Sequence, residues 1–168
     1  MLNIPFYHYK VNNWKEKKEQ LLDFASNLSF KYFDHISDLH TTYGDQTSSE
    51  ALKIIDDELI KFTNEVKFSG EMVAEIWFQK YYENQFHSPH NHGAIGYSSV
   101  LYINFDKRIH VGTRFLAPFN DPDGNHIEFA PDVDEGSLIF FPSYLYHYTL
   151  PNKSDTIRII MSMNIRKK

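Results

Sequence analysis

Beyond residue 70 the chain divides into strand-length apolar and aromatic runs separated by turn signals. That texture restricts the fold more than any other feature of the sequence. The runs cover 73–82, 95–105, 113–117, 126–129, 137–141 and 156–165. Between them lie Asn91-His-Gly93, Asn120-Asp-Pro-Asp-Gly124 and Pro151-Asn-Lys-Ser154, whose residue types favour turns. Many short strands at turn-rich spacing predict an antiparallel sandwich or jelly roll, because each hairpin buries alternate side chains against a facing sheet.

The front of the chain has a different period. After one short leading strand, residues 1–70 are predicted to be mostly helical. Asn13-Trp-Lys-Glu16 has the spacing of a capping box, and Leu21, Leu22, Phe24, Ala25 and Leu28 follow at near-helical intervals. Thr47-Ser-Ser-Glu50 offers a second box. Behind it, Leu52, Ile54, Ile55, Leu59, Ile60 and Phe62 form an apolar stripe, opposed by Asp56, Asp57, Glu58 and Lys61. Residues 41–46 lack a period and read as loop. Helices first and strands afterwards, without alternation, predict a mainly β, α+β fold rather than a parallel α/β sheet. The expectation is a single domain over 1–168, with a helical support (1–70) packed on a jelly-roll core (71–168).

Composition sets outer limits. With 168 residues, 42% hydrophobic and 16% aromatic, the chain has material for a substantial core. Its net charge of −5 argues against a general nucleic-acid binder. There is no cysteine, which excludes disulfides, zinc–thiolate sites and thiol nucleophiles. No apolar run approaches the roughly 20 residues that span a bilayer, and the first residues lack a basic-then-apolar leader. A cytoplasmic location is the expectation.

Histidines carry the first chemical signal. In His87-Ser-Pro-His90-Asn-His92, an extended His-x-His places His90 and His92 on one side of the backbone. Neutral imidazoles suit iron, zinc, copper or nickel. His147 follows Gly136, the apolar run 137–141 and Pro142, so it falls just past a buried strand, where a rigid scaffold can hold a reachable ligand. Together, His90, His92 and His147 predict a three-ligand metal cap with open positions for metal-assisted chemistry. His87 is close enough to compete, but three residues from His90 it would face the opposite side of an extended segment.

Arg158 is the second signal. It lies on the last predicted strand, with Ser162 and Asn164 on its face by period two. A guanidinium cannot discharge itself, so inside a barrel it requires an anionic partner, and it can clamp a carboxylate through two parallel hydrogen bonds.

In this order, His90-x-His92, the run Gly96-Tyr-Ser-Ser-Val-Leu-Tyr-Ile103, then Glu135-Gly-Ser-Leu-Ile-Phe-Phe-Pro-Ser-x-Leu-x-His147 and finally Arg158 resemble the iron(II)/2-oxoglutarate-dependent oxygenases. They look most like small members encoded by tailed phages of marine bacteria. The resemblance covers roughly residues 72–166. It implies a double-stranded β-helix packed on N-terminal helices, and, for a phage-encoded chain, the host cytoplasm. By resemblance, iron(II) would bind His90, His92 and His147, and Arg158 would anchor the far carboxylate of 2-oxoglutarate. The family consumes this co-substrate and dioxygen, releases succinate and hydroxylates a C–H bond of a protein side chain or small metabolite. The sequence departs from the pattern at His92, which stands where the family carries a carboxylate. Asp106, Glu128 and Glu135 are candidate oxygen ligands in its stead, and spacing selects none of them. A three-histidine, cupin-like dioxygenase or isomerase without 2-oxoglutarate, or a non-catalytic jelly-roll binding module, are the alternatives.

Other residues offer weaker signals. Tyr102, sharing a face with Ser98 and Val100, could offer its hydroxyl to 2-oxoglutarate. Arg114 could meet a substrate or form a surface ion pair. His110 and His126, beside turn-like segments, are expected to be solvated. Trp77, Tyr81 and Tyr97 could wall an entrance or simply pack.

Overall fold

A computed structural model describes residues 4–45 and 50–168. The front segment gives β1 (Tyr7–Lys10), α1 (Trp14–Ser26), β2 (Lys31–Phe33), β3 (Leu39–Thr41), α2 (Glu50–Ile54) and α3 (Asp56–Glu65). The remainder gives β4 (Met72–Tyr81), β5 (His87–His90), β6 (Tyr97–Asn104), β7 (Arg114–Asn120), β8 (His126–Phe129), β9 (Ser137–Pro142), β10 (His147–Thr149) and β11 (Arg158–Lys167).

From β4 onward the chain passes back and forth between two antiparallel sheets, except that β7 and β8 form a hairpin within the small one. The large sheet has the order β1-β9-β6-β11-β4-β3-β2, and the small sheet β5-β10-β7-β8. This is the expected jelly roll, a double-stranded β-helix with helices against one sheet. β11 is its spine, paired along its length with β4 on one side and β6 on the other.

Two cores lie on opposite faces of the large sheet. On the outer face, Leu21 and Ala25 of α1, Ala51 of α2, Ile55, and Leu59 and Phe62 of α3 meet Ile76, Phe78, Leu101, Phe140, Met161 and Met163. The Phe62 ring lies flat on Phe140, with centroids 3.9 Å apart. Between the sheets, Val100, Tyr102, Phe115, Ile139, Phe141 and Ile160 form the second core. Alternation along each strand sends neighbours to opposite cores.

Several local expectations are corrected. The front segment is not merely a helical cover, because β1, β2 and β3 extend the large sheet at both edges. β2 and β3 have three residues each, too few to display a period. Asn13 does not form its capping box. It adopts a left-handed conformation (φ 51°) with no side-chain cap, and its carbonyl accepts the first helical N–H groups from Glu16 and Lys17. Of the second box, Thr47, Ser48 and Ser49 lie outside the described residues, and Glu50 is the first residue of α2. In α3, Ile60 points outward, whereas Glu58, assigned to the solvated side, is fully buried. Its carboxylate accepts the Asn12 N–H at 2.9 Å and pairs with Lys17 Nζ at 3.1 Å, which satisfies the charge.

Candidate metal centre

His90, His92 and His147 converge at the mouth of the jelly roll, each offering one ring nitrogen, and these three atoms lie within 4.8 Å of one another. Register explains the meeting. β5 and β10 are antiparallel, and His147 stands directly opposite His90. His92 follows β5 in a turn tied down by its own N–H, which donates to the Ser143 carbonyl at 2.9 Å. The same turn is anchored by Ser143 N–H donating to the Gly96 carbonyl at 3.1 Å. At Gly96 (φ +92°) a Cβ would lie 2.3 Å from the Ile165 carbonyl, so only glycine permits this close passage beside β11.

Hydrogen bonds orient two of the imidazoles. Nδ1 of His90 lies 2.8 Å from the Ser88 carbonyl, and Nδ1 of His147 lies 3.0 Å from the Leu145 carbonyl. A carbonyl only accepts, so Nδ1 carries the proton and Nε2 keeps a free lone pair. Burial disfavours the charged ring in all three. It lowers the pKa of His90, takes that of His92 down to about 4, and holds that of His147 well below its usual value. Three neutral imidazoles, two of them pre-oriented, are a donor set suited to a first-row divalent metal.

His87 takes a position the alternation rule does not give. Its ring stacks on His90 with centroids 3.9 Å apart, on the same side, because the β5–β10 register is irregular between Thr149 and His147. Gln79 Nε2 contacts His87 Nδ1 at 3.1 Å, and Ser162 Oγ donates to Gln79 Oε1 at 3.0 Å. Burial, with smaller repulsions from His90 and His92, takes the His87 pKa down to about 3. Among the described residues no carboxylate joins the cluster. The three acidic candidates are engaged elsewhere: Asp106 with Arg108, Glu128 with Arg114, and Glu135 with Lys18 and the Trp14 indole.

Behind the histidines, a narrow inner cavity of about 20 Å³ is lined by Gln79, Tyr81, Thr149, Ile160 and Ser162. Arg158 lies deeper, 1% exposed, with its guanidinium 4.4 Å from the centre of the Tyr81 ring. Nη1 donates to the Val111 carbonyl at 2.8 Å and Nη2 to the Leu150 carbonyl at 3.2 Å. Nε has no partner, and no ion pair to a described carboxylate forms. The Tyr81 hydroxyl is likewise buried without a hydrogen bond of ordinary geometry. Burial lowers the Arg158 pKa and raises those of Tyr81 and Tyr102, so the tyrosines remain protonated donors. Tyr102 accepts the Thr113 N–H at 3.1 Å, which leaves its own O–H to donate. The predicted face of β11 is confirmed: Ser162 reaches Gln79, and Asn164 accepts from Ser98 and stands 3.5 Å from His92.

The remaining expectations divide. Arg114 forms the surface ion pair with Glu128. His110 is buried rather than solvated, with Nδ1 accepting the Asp106 N–H and Nε2 meeting the Thr156 carbonyl, each at 3.0 Å. His126 is exposed. Trp77 walls the mouth, with its ring 5.4 Å from that of His92, whereas Tyr97 packs on Tyr7 and Phe62 in the outer core. The contribution of Tyr81 beside Arg158 and that of Gln79 were not read from the sequence. Period two on β4 places both on one face, and this was the available signal.

Fold and site together define a jelly-roll metalloprotein with a mouth-facing histidine cluster. A family model described as "Putative 2OG-Fe(II) oxygenase" matches residues 75–164. The chain belongs to this family of iron(II)- and 2-oxoglutarate-dependent oxygenases. Among solved structures, it is similar to a Pseudomonas putida prolyl-4-hydroxylase at 17% identity, covering 99% of this chain and 94% of that one, with a TM-score of 0.69. It is similar to the viral collagen prolyl hydroxylase of Paramecium bursaria Chlorella virus-1, in complex with 2OG, at 16% identity, 97% and 96% coverage and a TM-score of 0.66. The nogalamycin-biosynthesis epimerase SnoN, in complex with Fe3+, alpha-ketoglutarate and nogalamycin RO, shares 10% identity, with 98% and 79% coverage and a TM-score of 0.78. No curated protein matches the chain. No helix among the described residues is long and apolar enough to cross a membrane.

Proposed function

We propose that the protein is a hydroxylase in which His90, His92 and His147 hold iron(II), and Arg158 holds the far carboxylate of 2-oxoglutarate. The observation that carries this reading is the pairing of two features: a neutral three-imidazole cluster, and behind it a buried guanidinium without a carboxylate partner. Bound iron(II), with 2-oxoglutarate and dioxygen, supplies oxidation of a substrate C–H bond coupled to decarboxylation of the co-substrate to succinate.

The chain's own groups set the stage. The carbonyls of Ser88 and Leu145 fix the tautomers of His90 and His147. Tyr81 supports the Arg158 plane, and the Tyr81 and Tyr102 hydroxyls are donors available to a carboxylate beside Arg158, while Ser162 commits its O–H to Gln79. The inner cavity is closely packed, so admitting the co-substrate requires its walls to part. With His92 in the carboxylate position, no protein charge offsets the metal, and the dianionic co-substrate supplies all the compensation.

The test is anaerobic addition of iron(II) and 2-oxoglutarate, which should give the weak visible charge-transfer band of a chelate, followed by succinate release on admitting oxygen. Fully metallated protein that shows neither would refute the reading. His92 also favours a second reading, a three-histidine enzyme that does not use 2-oxoglutarate. Turnover unchanged in Arg158→Ala would select it.

A further inference from the structure

In front of the histidines, the β2–β3 hairpin and β5 enclose a second cavity of about 280 Å³. It lies near the lower limit of ordinary small-molecule sites, which suits one or two fused rings. Its walls carry Phe33, Ile36, Leu39, Tyr43 and Trp77, and its floor is the cluster of His87, His90 and His92. Among the described residues, no Lys, Arg, Asp or Glu lines it.

Most polar groups in the walls are already engaged. Ser37 Oγ and Ser88 Oγ are bonded at 2.9 Å, and Ser37 Oγ also accepts the Ser88 N–H at 3.0 Å. Thr41 Oγ1 accepts the Tyr43 N–H, and Gln79 is held between Ser162 and His87. What remains for recognition is mainly apolar and aromatic surface, with the Tyr43 hydroxyl and the Asn91 side-chain N–H groups as the polar exceptions. Trp77 is 3% exposed and stands edge-on to Tyr43, with centroids 5.1 Å apart at 78°. Aromatic edges and faces presented this way favour another ring beyond the area it buries. A charged group entering here would lose its water and meet no oppositely charged side chain among the described lining residues.

The hairpin is also fixed to the strand that leads into the cluster. Asp38 and Phe86 exchange backbone hydrogen bonds at 3.0 and 2.8 Å, and Gln85 Nε2 donates to Asp38 Oδ1 at 2.7 Å. The apolar wall is therefore held in register with the histidines, while Ile36 at its rim is 74% exposed.

We propose that this cleft is the substrate subsite and that it takes a small, uncharged aromatic molecule, seated against Trp77 and Tyr43 with one edge toward the histidines. The inference rests on the oxygenase reading of the site. It assigns specificity to the β2–β3 hairpin, an element outside the jelly-roll core.

The test uses the zinc-loaded full chain labelled with nitrogen-15. The sequence has two tryptophans, and Trp14 packs against Gly136 and bonds Glu135 away from the cleft. Indole should shift the Trp77 side-chain N–H resonance and leave that of Trp14 in place. Tryptamine, its N,N,N-trimethyl derivative and cyclohexanol should each bind at least tenfold more weakly than indole. Ile36→Glu, and separately Phe33→Ala, should weaken indole at least tenfold while 2-oxoglutarate binding, followed by calorimetry on the same samples, is kept. Equal affinity for the charged probes or for cyclohexanol would overturn the proposal. So would an unmoved Trp77 signal, or binding of N-acetylphenylalaninamide in preference to indole. Loss of 2-oxoglutarate binding with indole binding intact would instead count against the oxygenase reading and leave the cleft assignment standing.

Discussion

The two faces of the large sheet are built from alternate residues of the same strands and serve opposite ends. On β11, Met161, Met163 and Ile165 turn toward the helices, while Arg158, Ser162 and Asn164 turn between the sheets. On β4, Ile76 and Phe78 join the helix side, and Trp77, Gln79 and Tyr81 turn toward the histidines. The outer face is closely packed hydrocarbon and is where folding free energy accumulates. Beside its own hydrocarbon, the inner face buries a guanidinium without a carboxylate partner and the Tyr81 hydroxyl, an arrangement that costs stability unless an anion enters. On β4 and β11, a residue's parity along the strand therefore decides whether it joins the helix-side hydrocarbon or stands near the histidines and Arg158.

Mutations can separate the two faces. His147→Ala should abolish turnover. It should also weaken zinc or cobalt binding, read by calorimetry, by more than the roughly 10- to 100-fold that loss of a ligand's supporting hydrogen bond costs. Phe62→Ala, on the outer face, should destabilise the fold by about 3–5 kcal/mol in denaturant titrations, yet leave metal affinity in the surviving folded protein unchanged. Arg158→Met should do the reverse. It should raise the 2-oxoglutarate KM by about 10- to 100-fold, while the thermal midpoint stays level or rises, because an apolar side chain replaces a buried cation without a carboxylate. A large loss of stability in that variant would show that the inner face contributes more to folding than its composition indicates.

The smallest effect is on pH dependence. His87 and His92 have pKa values taken down to about 3 and about 4 from 6.5. Between those limits the unfolded chain binds protons that the folded chain refuses, so stability rises with pH across this window. Metal-free protein should hold full stability above about pH 6.5 and lose it progressively toward pH 4, as measured by denaturant midpoints. His87→Gln should flatten part of that slope. Variants on the outer face should leave the slope alone.

Much of this was legible in the sequence because it is periodic or clustered. The strands of the second half announced themselves through alternation and turn residues, and His90, His92, His147 and Arg158 through their order along the chain. Short or irregular elements were not legible. β5 is four residues containing a proline and two histidines, and β2 and β3 are three residues each, held by neighbouring strands rather than by their own propensity. The same reason hid the cleft, because the hairpin that walls it has no sequence period. His87 was assigned to the wrong side since alternation assumes a regular ladder, and β5 pairs through an irregular one. His110 looked solvated beside its turn, although a loop can bury a histidine when backbone groups engage both ring nitrogens.

The residues proposed to hold the metal and its co-substrate belong to different layers: His90 and His147 to the small sheet, Arg158 to the large one. The β5–β10 seam that carries two of the histidines is joined at only two register positions, His147 with His90 and Thr149 with His87. So short a seam should breathe. Its amide hydrogens should exchange with deuterium early in ligand-free protein, well before those of β11. Occupancy would then act as a clasp between layers, slowing exchange in β5 and β10 first and making local rigidity a direct gauge of how full the site is.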